Sequence, residues 1–429
     1  MTGKMTTLSR RRFVAGATAG LAAAPLALPH LARAQGAPKV VVIGGGFGGT
    51  SLARYLQRHD PGIAVTLIEK DRTFSTCPFS NGVLGGLWEI DAITFTYENV
   101  KAAGIDVIHD LASAIDPEAK TVTLQGGDVL AYDFLVVSPG IQFAWGAIEG
   151  YDEAATEVMP HAWQAGPQTV LLRRQLEAME DGGTVVIATP QPPFRCPPGP
   201  YERASLIADY LHREKPKSKL LILDAQENFS KQPQFEEAWE RLYPGIIERV
   251  PASGSGQVMN VDPSTMTVST AFDDYTPAVA NIIPPQRAGQ IAIDAGLDEG
   301  KGFCSIDPVT FESTVHKSIY VLGDATIAGA MPKSGFSANN QAKACGAAIL
   351  AAIAGREPIA SKLINVCYSF ASADYAFDVA DVFTVADGTI KHVVEEARVM
   401  PVGLSDEMHK QEAGYAHSWY QNITAEMFG

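Results

Sequence analysis

Cysteine is scarce and scattered: the 429-residue chain has five, with no C-x-x-C, no C-x-x-C-H and no H-E-x-x-H. These absences exclude a zinc or iron–sulfur site of familiar spacing, and a c-type haem carried by the chain itself. Positive charge is short as well, since 33 Lys and Arg against 48 Asp and Glu leave −15 at pH 7. Nucleic acid and anionic membrane surfaces attract basic patches, so neither is an expected partner, whereas a basic protein would be steered well. There is no low-complexity tract, no internal repeat, and no apolar run of the about 20 residues needed to span a bilayer. What remains is ordinary globular material, 46% hydrophobic and 19% charged. It is too long for one growing core, so two or three domains are expected.

The chain opens with Ser9-Arg10-Arg11-Arg12-Phe13-Val14, an Ala/Gly-rich apolar run over residues 15–28, and Ala32-Arg33-Ala34. A charged segment, a short apolar core and an A-x-A site in that order read as an export signal. The paired arginines before Phe13 point to the twin-arginine route, which moves folded proteins; a membrane anchor is the other reading, and the run is short for it. Residues 1–34 are therefore expected to be removed, leaving a soluble protein in the periplasm, where disulfides persist.

Lys39-Val40-Val41-Val42-Ile43 is a β-branched run of the kind buried in parallel sheets. Gly44, Gly46 and Gly49 follow at G-x-G-x-x-G spacing, then a helix face at Leu52, Ala53 and Leu56, then a second strand that ends at Glu69. The glycines permit a tight turn and close approach of a pyrophosphate, and the helix N-terminus favours its charge. Glu69 would accept ribose hydroxyls and reject a 2′-phosphate. An exported protein meets little free NAD, so FAD is the expected cofactor. Two later strand ends support FAD: Phe134-Leu135-Val136-Val137 running into Ser138-Pro139-Gly140, and Ile319-Tyr320-Val321-Leu322 running into Gly323-Asp324. Asp324 would hold the ribityl chain of FAD or cap the following helix.

A second αβ pattern lies between Trp163 and Tyr275, with helices over 170–179 and 204–212 and strands over 184–188 and 219–223. Its strand-to-helix turn reads Thr189-Pro190-Gln191-Pro192-Pro193-Phe194-Arg195-Cys196-Pro197-Pro198-Gly199-Pro200, and six prolines cannot present a row of phosphate-binding amides. A nicotinamide site is not expected there. A cysteine sits at its centre instead.

Several segments now resemble the flavoprotein subunit of flavocytochrome c sulfide dehydrogenase: Ser75-Thr76-Cys77-Pro78-Phe79, Cys196-Pro197-Pro198-Gly199-Pro200-Tyr201-Glu202-Arg203, Met331-Pro332-Lys333-Ser334-Gly335-Phe336, Cys367-Tyr368-Ser369 and Ser418-Trp419-Tyr420. The wider superfamily includes glutathione reductase and sulfide:quinone oxidoreductases. The expected fold is α/β, with two Rossmann-like dinucleotide-binding domains of the glutathione-reductase type and a small C-terminal α+β domain. Residues 35–150 and 276–360 would bind FAD, 151–275 would form the second domain, and 361–429 an interface domain. By resemblance, Cys77 would join the flavin through sulfur, a free or structural thiol being the alternative. Cys196 and Cys367 would form the redox disulfide, or a structural one. Cys304 and Cys345 match nothing in the family and read as small apolar core residues.

The resemblance also implies the chemistry. Hydrosulfide would attack the disulfide to leave a persulfide and a thiolate, and two electrons would pass to FAD. Glu202 is either the proton acceptor for the incoming sulfide or a carboxylate favoured at a helix N-terminus. Lys333, Ser334 and Gly335 precede a helix over 338–354 whose N-terminus would face the flavin; for Lys333 a solvated surface lysine is the other reading. With no haem of its own, the chain implies a separate c-type cytochrome subunit. Tyr368, Tyr375, Phe377, Trp419 and Tyr420 would cover the flavin and cytochrome interface or serve as core. A sulfide:quinone oxidoreductase would need a basic, lipid-facing helix near the C-terminus, where this sequence reads Asp406-Glu407-Met408-His409-Lys410-Gln411-Glu412. An accessory flavoprotein of a thiosulfate-oxidising system is the remaining alternative.

Overall fold

The computed structural model describes residues 36–429, so the export signal expected over 1–34 lies outside the described residues. Lys39–Ile43 (β1) is buried from Val40 onward. It feeds Phe47–His59 (α1), which buries Leu52, Ala53 and Leu56 and places Arg58 in its last turn, beside the negative end of the helix. Ala64–Ile68 (β2), Asp106–Ile108 (β3) and Phe134–Val137 (β4) extend the sheet. The chain leaves through Ile141–Phe143 (β5) for a second unit made of Pro167–Ala178 (α2), Thr184–Ala188 (β6), Gly199–Glu214 (α3) and Lys219–Leu223 (β7). Gln232–Leu242 (α4), Ile247–Val250 (β8) and Val279–Ile282 (β9) complete that unit. It returns through Gln286–Ala288 (β10), which pairs antiparallel with β5.

Ile319–Val321 (β11) closes the first sheet in the order β11-β4-β1-β2-β3, with every pairing parallel. The second sheet runs β8-β7-β6-β9, also parallel. Two open parallel sheets with crossover helices are the twice-repeated dinucleotide fold, whose ligands bind beyond the carboxyl ends of the strands. The expected boundary at 275/276 needs correction, because β9 pairs with β6 in the register Val185↔Val279 and so belongs to the second sheet. Each of its residues is buried, and a continuous apolar run does not reveal which of two parallel sheets it joins.

Gly335–Ile353 (α5) starts at Gly335, three residues ahead of the expected helix, because the Ser334 hydroxyl accepts the Ser337 N–H at 3.0 Å and caps it. The C-terminal domain is a long hairpin, Leu363–Ser372 (β12) with Tyr375–Ala386 (β13), extended by Thr389–His392 (β14) and Arg398–Val399 (β15). Asp406–Phe428 (α6) buries Ala413, Ala416, Tyr420, Ile423 and Met427, while Asp406, Glu407, Gln411, Ser418, Gln421 and Asn422 stay exposed. Among the described residues, no helix is long and apolar enough to cross a membrane.

Candidate functional site

The first strand-to-helix turn is shaped by glycine where nothing else fits. Gly44 sits at φ +97°, and a Cβ there would lie 2.2 Å from the Ser138 carbonyl oxygen; a Cβ on Gly49 would lie 1.9 Å from the Gly44 carbonyl oxygen. Gly46 caps α1, and Glu69, at the end of β2, accepts the N–H groups of Gly45 at 2.7 Å and Asp71 at 3.0 Å. Gly140 follows β4 at φ +67° with open space where a Cβ would point. Asp324 follows β11; its Oδ2 stands 3.8 Å from Arg195 Nη1, and its buried Oδ1 has no hydrogen-bond partner among the described residues. Burial raises the Asp324 carboxyl pKa, and Arg195 and Lys333 oppose it. A buried polar atom without a partner is costly unless a ligand supplies one. The glycine turn, the carboxylate beside it and the orphaned Asp324 oxygen together fit FAD, which Gly44, Gly46, Gly49, Glu69, Gly140 and Asp324 could hold.

The second turn is closed where the first is open. Cys196 N–H donates to the Lys333 carbonyl at 2.8 Å, Gly199 N–H donates to the Cys196 carbonyl at 2.8 Å and Arg195 N–H donates to the Gln286 side chain at 2.9 Å, so the amides around the cysteine are already used. Cys196 stands in the left-handed region at φ +57°, a conformation most side chains avoid and that clusters at functional sites. A Cβ on Gly199 would lie 3.0 Å from the Cys196 sulfur and 2.7 Å from the Trp163 ring, so glycine is what lets α3 begin against the cysteine.

This turn forms one wall of a cavity whose lining includes Cys77, Cys196, Glu202, Ser334, Gly335 and Cys367. Residues far apart in sequence converge there from both Rossmann-like domains and from β12. Cys77 donates its S–H toward the Trp163 carbonyl at 3.5 Å. Glu202, in the first turn of α3, accepts Asn81 Nδ2 at 2.7 Å and the Phe370 N–H of β12 at 3.0 Å. Burial still raises its carboxyl pKa, against the pull of those two bonds. Burial likewise raises the thiols of Cys196 and Cys367, the former well above its ordinary value.

The family model described as the central region of the sulfide dehydrogenase (flavocytochrome c) flavoprotein chain matches residues 169–284. The flavin-binding model of flavocytochrome c sulphide dehydrogenase matches residues 359–428, and that of pyridine nucleotide-disulphide oxidoreductases matches 38–171. The flavoprotein chain of the sulfide dehydrogenase (flavocytochrome c) of Chlorobaculum thiosulfatiphilum is 60% identical over 48 residues, covering 11% of this chain and 100% of that sequence. The chain belongs to the flavocytochrome c sulfide dehydrogenase flavoprotein family. A sulfide-quinone reductase of Aquifex aeolicus (strain VF5) is 35% identical over 123 residues, so this chain spans only 28% of that relative's length and 28% of its own. In structure, the sulfide:quinone oxidoreductase of the hyperthermophilic bacterium Aquifex aeolicus shares the fold at a TM-score of 0.72 and 18% identity, over 91% of this chain and 92% of that one.

Within this family member, several side chains stand elsewhere than the sequence suggested. The Lys333 ammonium does not reach the cysteine cavity: it donates to the carbonyls of Asp324 at 2.9 Å and Thr326 at 2.5 Å and lies 3.8 Å from the Phe303 ring centre. It is neither a surface lysine nor a group facing the cavity, and burial lowers its pKa to about 8. What Lys333 offers Cys196 is its carbonyl. Tyr375 and Phe377 pack in the core, and Tyr420 stacks on Phe79 at 4.2 Å, leaving Tyr368 and Trp419 on the cavity wall. Cys304 and Cys345 are buried in apolar clusters.

Sequence reasoning missed three cations. Arg195 lies beside Cys196 and donates to the Trp163 carbonyl. Arg203 is fully buried, bonded to Asn81, Asn281 and the carbonyls of His161 and Ala162, and lies 4.9 Å from the Trp163 ring centre; burial brings its pKa down to about 9. Lys231, just ahead of α4 in the second domain, meets Cys367 on β12 of the C-terminal domain. Arg195 and Arg203 flank Cys196-Pro197-Pro198-Gly199 in the sequence, and that closeness to the cysteine is the signal that marks them.

Proposed function

We propose that this chain oxidises sulfide with FAD, through a disulfide between Cys196 and Cys367, and passes the electrons to a c-type cytochrome subunit after export to the periplasm. The observation that carries this reading is one cavity lined by Cys77, Cys196, Cys367 and Glu202, with Cys196 and Cys367 as free thiols in this structure and not yet the disulfide proposed, walled by the turn that a nicotinamide would otherwise occupy. When bound, FAD supplies an acceptor that takes two electrons together and releases them singly.

The residues divide the work. Cys196 and Cys367 receive the sulfur of hydrosulfide by thiol–disulfide exchange. Glu202 takes its proton, a role supported by a buried carboxyl whose pKa is raised. The buried guanidinium of Arg203 offsets negative charge that develops in the cavity, and Trp163, Phe336, Tyr368 and Trp419 keep bulk water from it. Cys77 on the same wall is the attachment point for FAD. The exposed face of α6, mostly polar with Met408 and Tyr415 as its large apolar side chains and carrying one lysine, and the acidic net charge favour a basic protein as electron acceptor over a quinone in the bilayer.

Stopped-flow absorbance of the purified holoprotein mixed with sulfide tests the reading. The flavin band is expected to bleach in the wild type, and at least roughly a thousandfold more slowly in Cys196→Ser. Equal bleaching in the two proteins would reject the disulfide, and none in either would favour an accessory electron-transfer role.

A further inference from the structure

We propose that Lys231 makes Cys367 the thiolate partner of the cysteine pair, so that the incoming sulfur is retained on Cys196. This rests on the sulfide-oxidising reading and assigns the two cysteines their separate parts. Lys231 is buried, just ahead of α4, in the left-handed region at φ +62°. A buried lysine in that conformation carries both a desolvation and a strain cost, and such costs persist where a function demands them.

The geometry of its ammonium is specific. It has three N–H donors. It meets the Cys367 carbonyl at 2.7 Å, the Ser369 hydroxyl at 2.7 Å and the Cys367 sulfur at 3.7 Å. The carbonyl and the hydroxyl are uncharged and anchor the cation; the sulfur is its one bonded partner able to carry charge, while the Glu202 and Glu412 carboxyls feel the cation without bonding to it. Among the described residues, no cation is bonded to the Cys196 sulfur: Arg195 is held by the Trp163 carbonyl and the Asp324 carboxylate, and Arg203, which also faces Cys196, has its guanidinium bonded to Asn81, Asn281 and the carbonyls of His161 and Ala162.

Other charges facing Cys367 work against a thiolate there. Glu202 on α3 and Asp381 on β13 both raise its pKa, and Lys231 is what opposes them. Burial and the two acidic neighbours Cys367 and Glu202 lift Cys196 well above its ordinary value, with Lys231 and Arg195 opposing. In the exchange, hydrosulfide sulfur bonds to the Cys196 sulfur and the Cys196–Cys367 bond breaks. Cys367 leaves with the electron pair as thiolate, and Cys196 keeps a persulfide. The better-stabilised thiolate is the faster leaving group, and the step consumes no outside oxidant.

The test is alkylation of the reduced holoprotein with iodoacetamide over a pH series, followed by peptide mass mapping. Reading the pH midpoint of labelling at each cysteine removes differences in reagent access. The Cys367 midpoint is expected below that of Cys196. Lys231→Met should raise it by about one pH unit, a roughly tenfold loss of Cys367 labelling below the midpoint, and Lys231→Arg should restore most of it. A wild-type midpoint lower at Cys196, or an unchanged Cys367 midpoint in Lys231→Met, would overturn the assignment; the wild-type result decides even when the variant does not fold. A peptide map of the oxidised protein separates the two failures. With no Cys196–Cys367 link, the sulfide-oxidising disulfide falls as well. With the link present and sulfide bleaching intact, only the role of Lys231 falls.

Discussion

The chain folds the same strand–turn–helix unit twice and ends the two turns in opposite chemistry. At Gly44 to Gly49 five of six residues are glycine, and the Gly44 and Gly45 N–H groups donate to the Ile68 carbonyl and the Glu69 carboxylate, which leaves the amides at the start of α1 for a ligand. At Thr189 to Pro200 proline removes donors, and the amides of Cys196 and Gly199 are bonded within the protein. The helix that follows each turn is similar, so the fold alone does not decide whether a dinucleotide binds. Free N–H groups at the turn decide it. Where they are withdrawn, the same place between strand and helix becomes available for a side chain, and here that side chain is a thiol.

The largest effect should come from closing the open turn. Gly49→Ala would set a Cβ 1.9 Å from the Gly44 carbonyl oxygen, with only backbone to yield. Loss of bound flavin from the purified protein is expected, with about 2–3 kcal/mol of stability, read by absorbance and thermal melting. A variant that retains full flavin would mean that the first turn is not the phosphate site.

A smaller effect is expected at the closed turn. Glu202→Gln should slow sulfide-driven flavin reduction roughly a hundredfold and abolish the acid limb of the pH–rate profile. That limb lies above the ordinary carboxylate range, because burial raises the group and its proton must leave before it can act. The linkage to stability has the opposite sense. A carboxyl whose pKa is raised on folding stabilises the protein below its unfolded pKa, and that contribution fades as pH climbs through the folded value. Glu202→Gln should therefore gain on the wild type in denaturant melts at higher pH, and an equal pH dependence in the two proteins would mean that folding does not raise the Glu202 pKa.

The third effect is small by design: NADH, added in large excess, should neither bleach the flavin nor shift the melting temperature. Bleaching by NADH would show that proline and cysteine had not closed the second turn.

Much of the plan could be read from residue order. The strand Lys39–Ile43, the glycine spacing and Glu69 are local signals, and each occupies the expected place. The cysteine contexts pointed to residues that line one cavity. Contacts between distant segments were not legible. The bond from Lys231 to Cys367 spans 136 residues, and nothing around Lys231 distinguishes it from a surface lysine. The place of the Lys333 ammonium is hidden for a related reason: its neighbours are backbone carbonyls, which carry no sequence signature. Tyr375 and Phe377 sit on a strand with both faces covered, so alternation could not tell cavity from core.

The bond from Cys196 N–H to the Lys333 carbonyl joins the cysteine turn to the residues just ahead of α5. On the far wall, the Cys367 carbonyl is held by the Lys231 ammonium. Both cysteines are thus anchored through their own backbones, independently of any bond between their sulfurs. A pair fixed in that way keeps a high effective concentration of each thiol at the other after the linkage opens. Once the sulfur has left Cys196, re-closure releases two protons and needs an acceptor for two electrons, which bound FAD would supply; it would then be unimolecular and would outpace capture by dilute outside thiols.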